Sequence, residues 1–316
     1  MILALLLIGG ISLLLLGGHY LVSHAVNLAA QLKLSPLVIS LTIVAFGTSA
    51  PELVVSLDAV LTGHDDIVIG NIIGSNIANL LLVVAVSALI FPVTLVKATI
   101  KREGAALIAA SLLFALLAHD GLFSSLDGLV LVACLVVYTA FAFLKPSQNG
   151  DGVSDETGTE DRVSPTAGST AIMRDLLLIA AALAALALGS HMFVDGAVRL
   201  SLVLGVSEAV IGLTVVAVGT AAPEIVTAAI AAWRRQPDVV IGNVVGSSIF
   251  NLLGIAGTTA LVSSIEVDHR FLGFDFGLML ATSILIVVGG LVLGRLGRTV
   301  GAMMLFAYIG YLVKLV

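Results

Sequence analysis

Apolar residues run through this chain in ten long segments separated by short polar connections. The segments lie near residues 2–31, 36–62, 66–91, 103–119, 123–144, 172–201, 208–233, 238–264, 271–293 and 297–316. Crossing about 30 Å of hydrocarbon takes roughly 20 helical residues, which most of these segments provide. Because they are apolar on every face and do not alternate with a period of two, they predict helices and not barrel strands. The pattern therefore predicts an all-α membrane protein with ten transmembrane helices.

The polar positions inside these segments repeat along the chain. A shift of 172 residues places residues 36–90 on residues 208–262 without a gap, and 26 of the 55 aligned pairs are identical. The shared motifs are AFGTSAPE at 45–52 with AVGTAAPE at 217–224, and GNIIGSNIAN at 70–79 with GNVVGSSIFN at 242–251. Similarity at a fixed interval indicates two copies of one unit.

Composition excludes a soluble globule. Hydrophobic residues make up 59% of the chain and charged residues only 11%, too few to cover a soluble protein of 316 residues. No basic cluster indicates nucleic-acid binding, and the single cysteine, Cys134, provides neither a disulfide nor a thiol metal site. Because residues 1–16 lack a basic start and a small-residue cleavage site, we interpret them as part of the first span and not as a signal peptide.

The distribution of Lys and Arg predicts the orientation in the membrane. When alternate connections are assigned to one side, that side receives 11 of the 14 basic residues. The positive-inside rule then places both termini outside the cell and the long connection in the cytoplasm. The short chain with a single linker suits the plasma membrane of a prokaryote. Since each copy has five spans, an odd number, the second copy enters the membrane in the opposite sense. The prediction is two inverted five-helix repeats.

The predicted halves are residues 1–145 and 172–316, joined by residues 146–171. The joining segment is rich in Gly, Ser, Thr, Asp and Glu and has almost nothing apolar to bury, so it is predicted to be disordered. A calcium-sensing role for its acids is an alternative. Because the segment is too short to form a folded regulatory domain, we interpret it as a solvated, acidic cytoplasmic linker.

The first repeated motif places a proline and a glutamate inside an apolar span. Pro51 cannot donate a hydrogen bond to the carbonyl of Gly47, so the helix is predicted to loosen there. The oxygens expected to be available are the carbonyls of Ala45, Gly47 and Thr48, the hydroxyls of Thr48 and Ser49 and the carboxylate of Glu52, with Ala217, Gly219, Thr220 and Glu224 in the second copy. Two carboxylates buried in a bilayer need a cation or proton to neutralise them. Oxygen ligands without His or Cys are typical of a hard ion such as calcium or sodium.

The second repeated motif adds oxygen ligands from the next span. Ser75 and Asn79 are four residues apart and share one helix face, as do Ser247 and Asn251. Glycines four residues apart keep this helix slim, so that neighbouring backbones can approach it. A proline kink or a glycine pair alone is more often structural, whereas two intramembrane acids at matched positions indicate a functional site.

Three other polar residues carry less weight. Asp58 corresponds to Ile230 in the second copy, and we interpret it as facing water or an ion-pair partner near the outer end of its span. His19 and His191 are matched by the 172-residue shift. We favour helix packing for both histidines, with a proton-linked role as the alternative.

Taken together, the motifs resemble those of the cation/calcium exchanger superfamily, specifically its sodium/calcium exchanger branch in bacteria and archaea. That family has two inverted repeats, each with Gly-Thr-Ser-x-Pro-Glu followed by Gly-Asn-x-x-Gly-Ser-Asn. Here the first motif stands as GTSAPE at 47–52 and GTAAPE at 219–224. The resemblance implies a secondary antiporter that exchanges calcium for sodium by alternating access, exports calcium and functions as a monomer in the bilayer. It also implies that the protein is not an enzyme and has no cofactor.

The same resemblance implies the ion ligands. Glu52 and Glu224, with the backbone oxygens of Thr48 and Thr220, are expected to hold calcium. The surrounding sodium sites are expected to use Ala45, Ser49, Ser75, Asn79, Ala217, Ser247 and Asn251, the two alanines through their carbonyls. The first and sixth spans are expected to slide against the other eight.

The chain departs from the family pattern at one position. Ala221 stands where the family usually has Ser, which removes a hydroxyl from a sodium site and leaves the ratio of sodium to calcium open. Asn251 stands where potassium-dependent members are expected to carry an acid, which argues against potassium coupling. A proton-coupled calcium antiporter of the same fold and a passive cation channel remain alternatives. An intramembrane aspartyl protease is not favoured, because Asp58 has no acidic partner.

Overall fold

The computed structural model describes residues 2–144, 169–205 and 217–315 and is built almost entirely of helices. The helices are α1 (Ile2–Leu32), α2 (Pro36–Thr48), α3 (Ala50–Leu61), α4 (Asp65–Ile90), α5 (Lys97–Leu117), α6 (Ser125–Leu144), α7 (Ser169–Val203), α8 (Ala217–Thr220), α9 (Ala222–Trp233), α10 (Pro237–Val262), α11 (Phe271–Leu293) and α12 (Arg298–Leu315). Four two-residue strands lie in the connections: β1 (Val93–Thr94), β2 (Leu122–Phe123), β3 (Ile265–Glu266) and β4 (Arg295–Leu296).

Seven of these helices are long and apolar enough to cross a membrane, and the bent pair α2–α3 makes an eighth when it is counted as one span. Helix α5 covers the predicted fourth span, but it begins at Lys97 and carries four charged residues in its first two turns. The predicted span at 208–233 is represented by α8 and α9, since residues 208–216 lie outside the described part of the chain. The described helices are those of a multi-span membrane protein.

Most of the predicted linker, residues 146–171, lies outside the described residues. Helix α7 begins at Ser169, so its first three residues fall within the predicted linker. Ala171 and Ile172 extend the apolar helix towards its N-terminus. The disorder and the extent of the linker stay predictions.

Backbone conformation repeats with the sequence. The six described residues with a positive φ angle fall into three pairs, 172 or 173 residues apart. The pairs are Lys33 (56°) with Gly205 (77°), Gly63 (74°) with Arg235 (57°), and Gly121 (84°) with Gly294 (66°). A left-handed residue ends a helix and redirects the chain. The two copies therefore turn at equivalent positions, even where Lys or Arg replaces the more permissive glycine.

Helices α1 and α7, which correspond under the shift, pack against each other in antiparallel directions. A Cβ atom at Gly10 would lie 2.9 Å from the carbonyl oxygen of Gly189, and one at Gly17 would lie 2.9 Å from that of Ala182. Residues nearer the C-terminus of α1 therefore contact residues nearer the N-terminus of α7. Each of these contacts becomes the other when the two copies are exchanged, because Gly10 matches Ala182 and Gly17 matches Gly189.

The corresponding helices α5 and α11 show the same relation. Ile100 contacts Gly290 and Gly104 contacts Val287, so these helices are also antiparallel. The hydroxyl of Ser111 lies 3.4 Å from that of Ser283, its own counterpart. A residue that meets its counterpart in this way lies near an axis of two-fold pseudosymmetry.

Short strands connect the two copies at both ends of the helices. Strand β1 pairs with β4 and β2 pairs with β3, both antiparallel. Each pair joins one strand from each copy. The buried centre is formed by α4 and α10, whereas only 22% of the apolar stretch of α1 and 28% of that of α7 are buried. The two helices that carry the second repeated motif are therefore the core of the fold.

Candidate cation site

The predicted break in the proline-containing helix is confirmed. Helices α2 and α3 meet at Ser49, whose φ and ψ are −85° and 7°, and their axes differ by 43°. Pro51 stands in the first turn of α3, where its missing amide leaves no intrahelical bond unmade. The break places Glu52 in the first turn of the new helix, deep within the protein. In the second copy α9 begins in the same way, with Ala221 before it and Glu224 in its first turn.

Glu52 and Glu224 are the acids of the site. Their exposed fractions are only 2% and 1%, and Ser49, three residues before Glu52, forms a hydrogen bond to Glu224. One carboxylate oxygen of each, Oε2, is buried without a hydrogen-bond partner in the described part of the chain. A buried carboxylate oxygen with no donor is costly unless a cation or a proton meets it. The two acids thus form a place for positive charge.

A single hydroxyl distinguishes the surroundings of the two acids. Ser49 donates a hydrogen bond of 3.0 Å from its Oγ to Oε1 of Glu224. The counterpart of this bond would run from residue 221 to Glu52, and residue 221 is Ala, buried with 2% exposure. The repeat therefore assigns the missing hydroxyl at position 221 as the counterpart of the donor Ser49.

Thr48 links the first copy to α10 of the second. Its hydroxyl lies 3.2 Å from Oδ1 of Asn243 and 3.4 Å from the hydroxyl of Ser247, and all three side chains are buried. Ser247 in turn donates to the carbonyl oxygen of Ala45 at 3.2 Å. Thr48 and Ser247, predicted ligands from the two copies, thus meet at one site, a contact that cannot be read from the sequence.

The carbonyl of Ala45 corrects one expectation. It was expected to be free because of the proline, yet it accepts the backbone amide of Ser49 at 3.1 Å as well as the hydroxyls of Thr48 and Ser247. The reason is that Pro51 removes only the amide directed at Gly47, four residues earlier. In the second copy, Ala217 is the first residue of α8 and Thr220 the last. It stays a prediction that Ala45, Thr48, Ala217 and Thr220 act as ion ligands.

Two asparagines that were not among the predicted ligands hold the glutamates in place. The side-chain amide of Asn71 donates to the backbone oxygen of Glu52 at 3.0 Å, and that of Asn243 donates to the backbone oxygen of Glu224 at 3.3 Å. Both asparagines belong to the repeated Gly-Asn motif and stand 19 residues after their glutamate. That constant interval, present in both copies, is the sequence signal that could have identified them.

Asn79 and Asn251 lie where α4 and α10 change their winding. Residues Asn79–Val83 and Phe250–Ile255 form π-helical turns, a local widening that often accompanies functional sites. Both asparagines are buried, and neither polar atom of the Asn251 side chain has a hydrogen-bond partner in the described part of the chain. Unpaired amide oxygens are suitable ligands for hard cations. Ser75 is half-buried and lines a cavity together with Asn71 and Thr220.

Glycines in α10 bring its backbone against α2. A Cβ atom at Gly246 would lie 2.5 Å from the carbonyl oxygen of Leu41 and 2.7 Å from Cβ of Ala45, and one at Gly242 would lie 2.9 Å from the carbonyl oxygen of Leu37. No side chain fits into such gaps. The predicted close approach of the helices is confirmed in this copy, and it is this approach that lets Thr48 reach Asn243.

The less favoured residues lie outside the site. Asp58 is exposed, on a different face of α3 from Glu52. His19 lies against the guanidinium of Arg234, at the end of α9. In the described ranges no three His, Cys, Asp or Glu side chains come together as a transition-metal centre would require. The observed set of two carboxylates with neutral oxygens fits calcium or sodium.

Three kinds of comparison with known proteins agree. The family described as "Sodium/calcium exchanger protein" matches residues 2–144 and 175–316. The putative antiporter CaxA of Alkalimonas amylolytica is 35% identical over 96% of this chain and 95% of that protein, and the sodium/calcium exchanger MaX1 of Methanosarcina acetivorans is 30% identical over 98% and 97%. The solved structure of the sodium-calcium exchanger NCX_Mj, soaked with Na⁺ and Ca²⁺, superimposes with a TM-score of 0.84 at 28% identity, covering 100% of this chain and 99% of that one.

Proposed function

The chain belongs to the sodium/calcium exchanger protein family, and from this premise we propose that it exports calcium from the cell in exchange for sodium, driven by the sodium gradient. The family consists of membrane transporters of sodium and calcium, which supports the expectation that the chain is not an enzyme and needs no cofactor. The observation that carries the proposal is the burial of Glu52 and Glu224, each with an oxygen that has no partner in the described part of the chain, together with the hydrogen bond from Ser49 of the first copy to Glu224 of the second.

The proposed architecture is ten spans in two inverted halves, residues 1–145 and 172–316, joined by a cytoplasmic linker at 146–171. The antiparallel packing of α1 with α7 and of α5 with α11 supports the inversion, since equivalent helices of inverted halves run in opposite directions. Both termini lie outside the cell, and one chain is the functional unit. Alternating access arises when α1 and α7 slide along the remaining helices.

We assign calcium to Glu52 and Glu224 with the backbone oxygens of Thr48 and Thr220. The sodium ions take the neutral oxygens around these acids, at Ala45, Ser49, Ser75, Asn79, Ala217, Ser247 and Asn251. The burial of Asn79 and Asn251 and the contact of Ser49 with Glu224 support this assignment.

Charge explains how the two ions are coupled. With Asn at positions 79 and 251, the site carries only the two negative charges of the glutamates. One Ca²⁺ neutralises them, and so do two Na⁺, whereas a third Na⁺ adds a positive charge that neutral oxygens must stabilise. Calcium and sodium therefore compete for the site. In each conformational change the protein carries either calcium or sodium across the membrane, but not both.

The first test is calcium uptake into proteoliposomes loaded with sodium. Radioactive calcium is supplied outside in sodium-free buffer, in sodium buffer, or with a proton gradient, each with and without a potassium ionophore to set the voltage. We expect uptake only when sodium is inside and the external sodium is low. Uptake that follows the proton gradient instead would assign a proton as the coupling ion. Uptake without any counter-ion would identify a channel and contradict the proposal.

Restoring the missing hydroxyl should change the response to sodium. In Ala221→Ser the new hydroxyl can donate to Glu52 as Ser49 donates to Glu224, so we expect half-maximal exchange at a lower sodium concentration. Ser49→Ala removes the existing donor and should raise that concentration about tenfold, since hydrogen bonds to charged groups are worth about 1.5–3 kcal/mol. Sodium-dependent calcium uptake measures both variants. Equal sodium curves for the two would show that these hydroxyls have no role.

A further inference from the structure

A cavity of about 480 Å³ lies between α4, α11 and α12 and reaches the predicted ligands Ser75 and Thr220. Its walls are mostly apolar, with Ile67 and Leu315 among them. It also contains one acid, Asp275, which the cation site described above does not include. In the proposed topology, Ile67 and Leu315 lie towards the outer surface, so the cavity leads from that surface to the cation site.

Asp275 faces the cavity from the π-helical turn at the start of α11, Phe271–Asp275. The hydroxyl of Tyr311, on α12, interacts with its carboxylate, and the Tyr308 ring lies beside that of Tyr311 with 6.5 Å between centroids. The second carboxylate oxygen, Oδ1, is buried and has no hydrogen-bond partner among the described residues. One tyrosine therefore leaves half of the carboxylate unsatisfied.

The first copy contains an equivalent acid and tyrosine, with a different partner. Glu103 and Tyr138 lie 172 and 173 residues before Asp275 and Tyr311, and the Tyr138 hydroxyl donates to Glu103 at 3.0 Å. Glu103 is buried, and Arg102 neutralises it through an ion pair of 2.5 Å. The position equivalent to Arg102 is Phe274, and no described ion pair involves Asp275.

Lys314, the basic residue in the last turn of α12, contacts an aromatic ring and takes part in no described ion pair. Lys314 places its Nζ 2.9 Å from the centroid of the Phe274 ring, a cation–π arrangement. The apolar walls lower the local dielectric constant, which strengthens the attraction between a carboxylate and a cation inside the cavity. The volume is sufficient, because six to eight water-sized ligands at about 30 Å³ each take roughly 180–240 Å³.

We propose that this cavity is a second cation-binding site, in which Asp275 and Tyr311 hold a partly hydrated Ca²⁺ outside the Glu52–Glu224 pair. The role of this site in transport rests on the proposed function, whereas cation binding at the site does not. Ca²⁺ occupies the site in place of the arginine that neutralises the equivalent acid. From there it exchanges with the central acids past Ser75 and Thr220.

The transport test compares Asp275→Asn with Glu266→Gln, a loss of the same charge at an exposed position outside the cavity. In Asp275→Asn we expect the KM for external Ca²⁺ to rise about three- to tenfold, with the maximal rate within about twofold of the wild type. Asp275→Glu should stay near the wild type, as should Glu266→Gln. An unchanged KM in Asp275→Asn would overturn the role in transport.

A binding test is independent of transport. Tb³⁺ replaces Ca²⁺ at oxygen sites and emits when a nearby tyrosine is excited, and Tyr308 and Tyr311 both line this cavity. In the full-length chain carrying Glu52→Gln and Glu224→Gln, we expect Tb³⁺ emission that Ca²⁺ displaces. The emission should be lost on adding Asp275→Asn and weakened by Tyr311→Phe. Size-exclusion chromatography confirms that each variant is folded.

The two tests separate this site from the proposed function. If the wild type exchanges no calcium but Tb³⁺ binding depends on Asp275, the proposed function fails and the second site stands. If exchange is normal and Tb³⁺ emission ignores Asp275, the second site is wrong and the function stands. Tb³⁺ emission that rises in Lys314→Gln and is unchanged by Asp275→Asn also contradicts the site.

Discussion

Replacing Glu52 or Glu224 by Gln should reduce calcium exchange at least about 100-fold. Each change removes half of the negative charge that neutralises Ca²⁺, and removing one partner of a buried charge pair typically costs about 3–5 kcal/mol, more than a factor of 100. Gln keeps the shape of the side chain and the helix break at Ser49. The measurement is sodium-driven uptake of radioactive calcium into proteoliposomes with equal amounts of each variant.

The control for Glu52→Gln is Asp58→Asn on the same helix. Asp58 is exposed and lies on another face of α3, so its neutralisation removes the same charge outside the site. We expect exchange in this variant to stay within about twofold of the wild type. If Glu52→Gln or Glu224→Gln transported calcium at the wild-type rate, the central site would be elsewhere.

The second large effect is expected from Gly246→Ala. A methyl group at this position would lie 2.5 Å from the carbonyl oxygen of Leu41, a backbone atom that cannot move aside without shifting α2. Overpacking of this kind costs about 1–3 kcal/mol, and it separates Thr48 from Asn243 and Ser247. We expect calcium exchange to fall about tenfold or more.

The matched control is Gly277→Ala in α11. Gly277 is exposed, and a Cβ atom there meets no described atom within 4 Å. Alanine at this position should leave exchange unchanged and stabilise the helix slightly. Thermal unfolding of both variants in detergent, followed alongside uptake, separates a loss of stability from a loss of site geometry. Full exchange in Gly246→Ala would show that the close approach of α2 and α10 is not required.

Much of this architecture is predictable because the sequence contains two copies of the same motifs. The 172-residue repeat identifies Glu52 and Glu224, and the proline explains the break before α3. The motif that contains Asn71 is visible in the sequence. The hydrogen bond from Asn71 to the backbone of Glu52 is not, because it depends on how α4 packs against α3. A repeat thus reveals which residues matter sooner than what each of them touches.

Features set by packing between helices could not be predicted. The π-helical turns at Asn79 and Phe250 leave no simple signal in a sequence that is apolar on all faces. The hydrogen bonds that occupy the carbonyl of Ala45 come partly from Ser247, which lies 202 residues away. The sequence shows Arg102 and Phe274 at equivalent positions of the two copies. Only the structure shows that this difference concerns two equivalent acids, Glu103 and Asp275, each with a tyrosine partner.

The contacts between α1 and α7 that replace one another when the copies are exchanged have an evolutionary meaning. An interface of this kind, with Gly10 on Gly189 and Gly17 on Ala182, is what two identical subunits form in a homodimer. In such a dimer every substitution would appear on both sides at once. Joining the copies in one polypeptide removes that constraint, so that one copy can have Ser49 where the other has Ala221, and the two acids can have unequal neighbours.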